Sequence, residues 1–267
     1  MIKLIASDLD GTLLLNGAQK LPEDIFPLIR RLKEMGILFA AASGRQYNNM
    51  KRLFAPVVSD MAFICENGAV AFWKDELLYE NFFYRNLMMD ILKAVEERKD
   101  TEFTCSTKDY HYIMPKTEEF RKLLQNEVKV DCKIISSADE ITEPCVKMAV
   151  YDKEGVTDEA LEYWKERFSD RCRVVTSGFA WIDFIPFGTN KANGVKKFQE
   201  MLRISPEECV VFGDEYNDIE MLQAVKYSFA MSHSKAGVRA EAHYETDRVQ
   251  PVLEKLIAAN GKMEEVV

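Results

Sequence analysis

Four short apolar runs, at residues 2–7, 37–42, 61–65 and 209–212, each stop at a polar break that contains glycine. Between the first two, residues 21–35 set Ile25, Leu28, Ile29 and Leu32 on one helical face, with Pro22 near the start and Gly36 at the end. Buried strands that alternate with helices imply a parallel sheet joined by right-handed crossovers. In an open sheet of that kind, ligands bind beyond the carboxyl ends of the strands. The breaks are Asp8-Leu9-Asp10-Gly11-Thr12, Ser43-Gly44-Arg45, Glu66-Asn67-Gly68 and Gly213-Asp214-Glu215-Tyr216-Asn217-Asp218. The sheet would bring all four to one crevice.

From Ala69 the rhythm changes. Residues 69–73 and 77–82 flank Lys74-Asp75-Glu76 and read as a hairpin. Helices are expected near 86–97, 117–127 and 155–168, and strands near 102–106, 110–114, 146–151 and 181–185. After Pro186 the strand–helix alternation returns, with a helix at 193–202, a strand at 209–212 and a helix at 219–225. An α+β unit at 84–186 is therefore expected as an insertion into a first domain made of 1–83 and 187–267.

A net charge of -9 argues against nucleic acid or an anionic membrane as a partner held by bulk electrostatics. A small anionic substrate needs only a local positive site. The six cysteines include no Cys-x-x-Cys pair, and Cys65 and Cys209 fall inside apolar runs, which suits a reduced, cytoplasmic setting. No signal peptide and no membrane-length apolar stretch is read.

Asp8, Asp10, Asp214 and Asp218 gathered in one crevice would repel one another strongly. A hard divalent cation removes that repulsion, and Mg²⁺ suits a few carboxylates plus water and phosphate oxygens. Lys191, at the start of a helix, would add a second positive charge. Each break alone has a plainer reading: Ser43 as a helix cap, Lys191 as a solvated helix residue, Asp214 and Asp218 as acids in a helix's first turn. Only their order along one chain favours a shared site.

In that order and rough spacing, Asp8-Leu9-Asp10-Gly11-Thr12, Ser43-Gly44-Arg45, Lys191 and Gly213-Asp214 through Asn217-Asp218 resemble the four motifs of the haloacid dehalogenase-like phosphohydrolases. The insertion, preceded by Glu66-Asn67-Gly68-Ala69, is similar to the α/β cap of the Cof-type subgroup. The resemblance spans essentially the whole chain and implies an α/β fold, a Rossmann-like parallel-sheet core carrying an inserted α+β cap. It implies a Mg²⁺-dependent phosphomonoesterase acting on small phosphorylated metabolites, sugar phosphates first, under a cap that supplies selectivity. Asp8 would attack phosphorus and form an aspartyl phosphate, and Asp10 would act as acid and then base. Asp8, the main-chain carbonyl of Asp10, Asp214 and Asp218 would hold the metal. Ser43 and Lys191 would hold phosphoryl oxygens, with Gly44 and Asn217 placed beside them. Asn67 is either a turn residue or a contact to the substrate phosphate.

Several positions depart from the family's pattern. Glu215 stands where serine is frequent and is read either as a solvent-facing helix residue or as an extra carboxylate near the metal. Ala192 replaces the glycine after the lysine, and Ser232-His233-Ser234 replaces Gly-Asn-Ala. His111 is expected to be an exposed hairpin residue, and Phe179, Trp181, Phe184 and Phe187 to pack the inserted core and hinge. The same carboxylates also suit a phosphotransferase or phosphomutase, in which a second sugar phosphate accepts the phosphoryl group. A phospho-acceptor regulatory module is the rival from another class; it would need neither Asp10 nor a large insertion.

Overall fold

The first apolar run forms β1 (Leu4–Asp8), and the computed structural model describes residues 1–128, 132–176 and 179–267. After β1 come α1 (Ile25–Glu34), β2 (Leu38–Ala42), α2 (Tyr47–Leu53), β3 (Met61–Cys65), β4 (Val70–Trp73) and β5 (Glu76–Glu80). Then follow α3 (Arg85–Glu96), β6 (Thr101–Ser106), β7 (His111–Ile113), α4 (Glu118–Lys122), β8 (Cys132–Ile134), β9 (Lys147–Asp152), α5 (Asp158–Phe168), β10 (Arg173–Thr176) and β11 (Trp181–Ile185). The chain continues with α6 (Lys191–Leu202), β12 (Cys209–Gly213), α7 (Ile219–Gln223), β13 (Tyr227–Met231), α8 (Ala236–Arg239), β14 (Tyr244–Thr246) and α9 (Val249–Ala258). Among the described residues, no helix is long and apolar enough to cross a membrane.

Contacts divide the chain into one unit of Met1–Tyr79 with Asn190–Val267 and a second of Glu80–Thr189. The boundaries read from sequence, 83/84 and 186/187, both fall inside the second unit. The Asn81 amide explains the difference: it donates to the Phe187 carbonyl at 2.9 Å and to Thr189 Oγ1 at 2.8 Å, tying both connecting segments to the inserted unit.

In the first unit an eight-stranded sheet runs β14-β13-β12-β1-β2-β3-β4-β5. From β14 to β3 the strands are parallel, and β4 turns antiparallel. Lys74 and Asp75, both left-handed, make the two-residue turn into β5. All five residues of β1 and of β3 are buried, as a strand covered on both faces requires. Leu4, Ala6, Ala40, Ala42 and Ile64 pack with Val195 and Phe198 of α6 and Met221 and Leu222 of α7. Helix α1 buries Ile25, Phe26, Ile29 and Leu32, each worth about 1.5–3 kcal/mol. It starts at Ile25 and not near Leu21, because the Pro22 carbonyl accepts the Ile25 N–H in a preceding turn. Pro27 then occupies the first helical turn, where its missing N–H costs no helical bond.

The second unit is a six-stranded sheet, β10-β11-β9-β6-β7-β8, antiparallel except for β7 with β8. Ile91 and Leu92 of α3 and Trp164 and Phe168 of α5 cover one face, against Phe103, Met148, Val150 and Phe184. His111 is not the exposed hairpin residue expected from sequence. It is 9% exposed, with Nδ1 3.0 Å from Ser106 Oγ, because β8 pairs along β7 and removes the open edge. The aromatic set divides. Phe184 is in the core, Trp181 packs at a tilt against Phe120 and Tyr151, and Phe179 and Phe187 stay exposed.

Candidate active site

Register decides what the carboxyl edge of the first sheet presents. Asp8 ends β1 level with Ala42 of β2, and Ser7 is level with Phe212 of β12, so the breaks after β1, β2 and β12 are neighbours. The Lys191 ammonium is buried at the start of α6 and donates to Asp8 Oδ1 at 2.5 Å and Asp218 Oδ1 at 2.6 Å. Asn190 caps that helix, its side chain accepting the Asn193 N–H. One lysine thus joins the end of the first strand to the loop after β12.

Asp214 and Asp218 do not lie on one face of a regular helix, as their spacing suggests. The chain makes a tight 3₁₀ turn at Tyr216–Asp218, and Asp218 Oδ2 accepts the N–H groups of Asp214 at 2.9 Å and Glu215 at 3.1 Å. Both Asp218 oxygens are therefore engaged. Asp214 Oδ1 accepts from Thr12 Oγ1 at 2.8 Å. Gly11, at φ +92°, makes room for it: a Cβ there would lie 2.1 Å from Asp214 Oδ2. Glu215 points outward, 3.5 Å from Lys235. His233 Nε2 stands 3.9 Å from Asp214 Oδ2.

The other sequence candidates sit around this group. Ser43 is buried, and its hydroxyl accepts the Arg45 N–H at 3.2 Å. Asp10 is half exposed and held by both nitrogens of a guanidinium fork, Arg45 Nε at 2.9 Å and Nη2 at 2.5 Å. Asn67 Oδ1 accepts from Asn217 Nδ2 at 3.2 Å, and a Cβ on Gly44 would come within 3.1 Å of the same oxygen. Gly68, at φ +92°, lets its loop close on α6, since a Cβ would meet the Asn190 carbonyl oxygen at 2.0 Å. Thr12 and Arg45 have no role assigned from sequence. The motifs contain them, but only the fold shows which acid each one holds.

Among the described residues, Asp8, Asp214 and Asp218 form the acidic group whose ligand atoms all lie within 4.8 Å of one another. Three carboxylates against one ammonium leave a buried excess of negative charge. Burial pushes the Asp8 carboxyl well above the usual range; Lys191 pulls it back, and Asp218 and Asp214 push it up again. Burial also raises Asp214, against the hydrogen bond from Thr12. Burial alone would lower Lys191, yet Asp8 and Asp218 hold it above the ordinary lysine range. Asp8 and Asp214 are also paired carboxyl to carboxyl, and the ligand atoms on offer are hard oxygens. The set fits a divalent cation of the Mg²⁺ kind, which would supply the missing positive charge.

A mostly parallel sheet that gathers acids and a buried lysine at its carboxyl edge, and carries an inserted α+β unit, defines a class of α/β enzymes. The sequence profile of the haloacid dehalogenase-like hydrolases matches residues 5–251. The chain belongs to that family and is a phosphatase. It is 28% identical over 243 residues to the 5-amino-6-(5-phospho-D-ribitylamino)uracil phosphatase YbjI of Escherichia coli, covering 91% of this chain and 90% of that one. It is 27% identical to phosphoglycolate phosphatase 1 of Saccharolobus solfataricus, covering 92% and 90%. The fold is similar to that of a protein from Eubacterium rectale, whose crystal structure superposes with a TM-score of 0.88 at 24% identity, covering 95% of this chain and 98% of that one.

Proposed function

We propose that the chain is a Mg²⁺-dependent phosphomonoesterase that works through an aspartyl phosphate on Asp8, with small organic phosphates, sugar phosphates first, as substrates. The observation that carries this reading is the buried Asp8 carboxylate, fixed by Lys191 on one oxygen and set in one acidic group with Asp214 and Asp218. Asp8, Asp214 and the main-chain carbonyl of Asp10 are the proposed metal ligands. Asp218 acts through its hold on Lys191 and on the loop, or as a further ligand. The metal would neutralise phosphoryl oxygens and keep Asp8 ionised.

The Asp8 oxygen not held by Lys191 bonds to phosphorus as the ester oxygen leaves, and Asp10 gives the leaving oxygen its proton. Asp10 next takes a proton from water, whose oxygen displaces Asp8 and releases inorganic phosphate. To do so, Asp10 must exchange its Arg45 contact for the substrate, a tightening common when a ligand enters an empty site. Lys191 and the Ser43 hydroxyl stabilise the phosphoryl oxygens, the main task in phosphoryl transfer. Gly44, Asn67 and Asn217 border that position. The Glu80–Thr189 unit is proposed as the cap that selects the leaving group.

Phosphate release from a panel of sugar phosphates, phosphoglycolate and nucleotides tests the reading. Release is expected with Mg²⁺ and not with a chelator. Transfer of phosphate only to an added sugar would replace the hydrolase with a mutase. Gly11→Ala is expected to displace Asp214 and to weaken Mg²⁺ binding at least about tenfold, measured by titration calorimetry, since both the left-handed backbone and the 2.1 Å approach forbid a methyl group.

A further inference from the structure

Strand β6 runs between β7 and β9, so Cys105 is held from both sides, opposite Tyr112 on one strand and Met148 on the other. Its side chain belongs to the apolar cluster under α3 and α5. Cys145, 40 residues further along and just before β9, belongs to the same cluster. Its main chain is fixed there. The Cys145 carbonyl accepts the Phe83 N–H at 2.7 Å, and the next residue, Val146, donates its N–H to the Ser106 carbonyl at 2.8 Å. Glu143, two residues earlier, accepts from the Tyr112 hydroxyl at 2.8 Å. The two sulfurs meet. Cys105 Sγ donates to Cys145 Sγ at 2.8 Å, and Cys145 Sγ donates in turn to the Lys147 carbonyl at 3.4 Å. The other buried cysteines spend their thiols elsewhere: Cys65 on the Met50 sulfur, Cys172 on the Phe168 carbonyl and Cys209 on the Ser205 carbonyl.

A hollow of about 220 Å³ opens onto this point, with Phe83, Tyr84, Met88, Glu143, Pro144 and Cys145 in its wall. Cys105 is not in that wall and is 0% exposed, whereas Cys145 keeps 3%. A small oxidant in the hollow therefore meets one sulfur, with the second thiol directly behind it. A disulfide bond is about 2.05 Å long, so sulfurs at 2.8 Å need to approach by roughly 0.8 Å. The strand pairing that holds both main chains can stay as it is. The link would close a loop that contains β7, α4 and β8, which removes freedom from the unfolded chain.

We propose that Cys105 and Cys145 form an oxidative modification site, at which a small hydroperoxide entering the hollow converts the two thiols into a disulfide. Cys145 Sγ attacks one peroxide oxygen and the O–O bond breaks; the sulfur becomes a sulfenic acid, and the other oxygen leaves as water, or as the alcohol of an organic peroxide, with the thiol proton. Cys105 Sγ then attacks the Cys145 sulfur, the S–O bond breaks, and that oxygen leaves as water with the second thiol proton. Two thiols lose two electrons and two protons, and the peroxide takes up both. Nothing in this chemistry depends on the phosphatase reading. The reduced full-length wild type, treated with hydrogen peroxide and alkylated, is expected to lose two hydrogens in intact mass. Digestion without reductant should yield a linked peptide pair that joins Cys105 to Cys145. The thermal midpoint should rise by about 5 °C or more and fall back when dithiothreitol is added. In Cys105→Ser, dimedone should trap Cys145 as the sulfenic acid, whereas Cys105 in Cys145→Ser should resist the reagent. An unchanged mass, a link between other cysteines or a link that forms only in urea overturns the inference, and the wild type alone decides this. Dimedone capture at Cys105 and not at Cys145 overturns it as well, as does a linked chain whose midpoint falls.

Discussion

Asp8→Asn is expected to lower phosphate release by about 10⁴-fold or more, because the amide cannot form the acyl phosphate and no neighbouring carboxylate can take its place. Asp218 has both oxygens engaged, and Asp214 is held by Thr12 beside the loop. The loss should come without unfolding. Burial already disfavours the charged form of Asp8, and Lys191 keeps Asp218 as its partner. The thermal midpoint of the variant should therefore equal or exceed that of the wild type. Steady-state release, together with acid-quench capture of protein-bound phosphate in the wild type, checks both halves. Residual turnover within tenfold of the wild type would move the nucleophile elsewhere.

Lys191→Met should act in the opposite sense, on stability first. It leaves two carboxylates buried with no cation between them, and breaking a buried pair from one side costs about 3–5 kcal/mol. Urea unfolding without metal should show that loss, and Asp218→Asn in the same chain should recover part of it. The pH dependence has a definite sign. Asp8 already sits above its unfolded-state value, near 3.9 for a free aspartate, and loss of the lysine raises it further. Between those two values the native state keeps a proton that the unfolded chain has lost. Stability of the variant therefore falls as pH rises through that window. A variant as stable as the wild type at neutral pH would mean that the lysine does not compensate these acids.

In the first sheet β1, β2, β3 and β12 were legible because they are buried on both faces and read as short apolar runs, as residues 61–65 do, whereas β13, broken by Ser228, and the three-residue β14 were missed. In the second unit local pattern marked α3, α4, α5, β6, β7, β9 and β11 close to their observed bounds and missed β8 and β10. Strand β8 has only Cys132, Lys133 and Ile134, with no alternation to mark it, and missing it misplaced His111 on an open edge. Strand β10 was missed for a similar reason, being four residues with only Val174 buried. At the site, the acids and the lysine could be picked out because carboxylates at the ends of buried strands demand a counter-charge close by. Their partners could not. Thr12 on Asp214 and Arg45 on Asp10 are pairings set by the twist and register of the sheet, which spacing along the chain does not encode.

The place of β1 between β12 and β2 has a consequence for how the molecule is born. Synthesis delivers β1 first, but its β12 partner begins only at Cys209, after the whole of Glu80–Thr189 has been made. That middle segment is continuous and can condense on its own contacts. The N-terminal strands must wait with one hydrophobic edge bare, the slow, non-local closure that exposes a nascent chain to sticking. A product truncated before Cys209 would therefore be no dormant enzyme but a template for aggregation, and a cell making this protein has reason to keep a chaperone near the ribosome until the segment from Cys209 onward emerges.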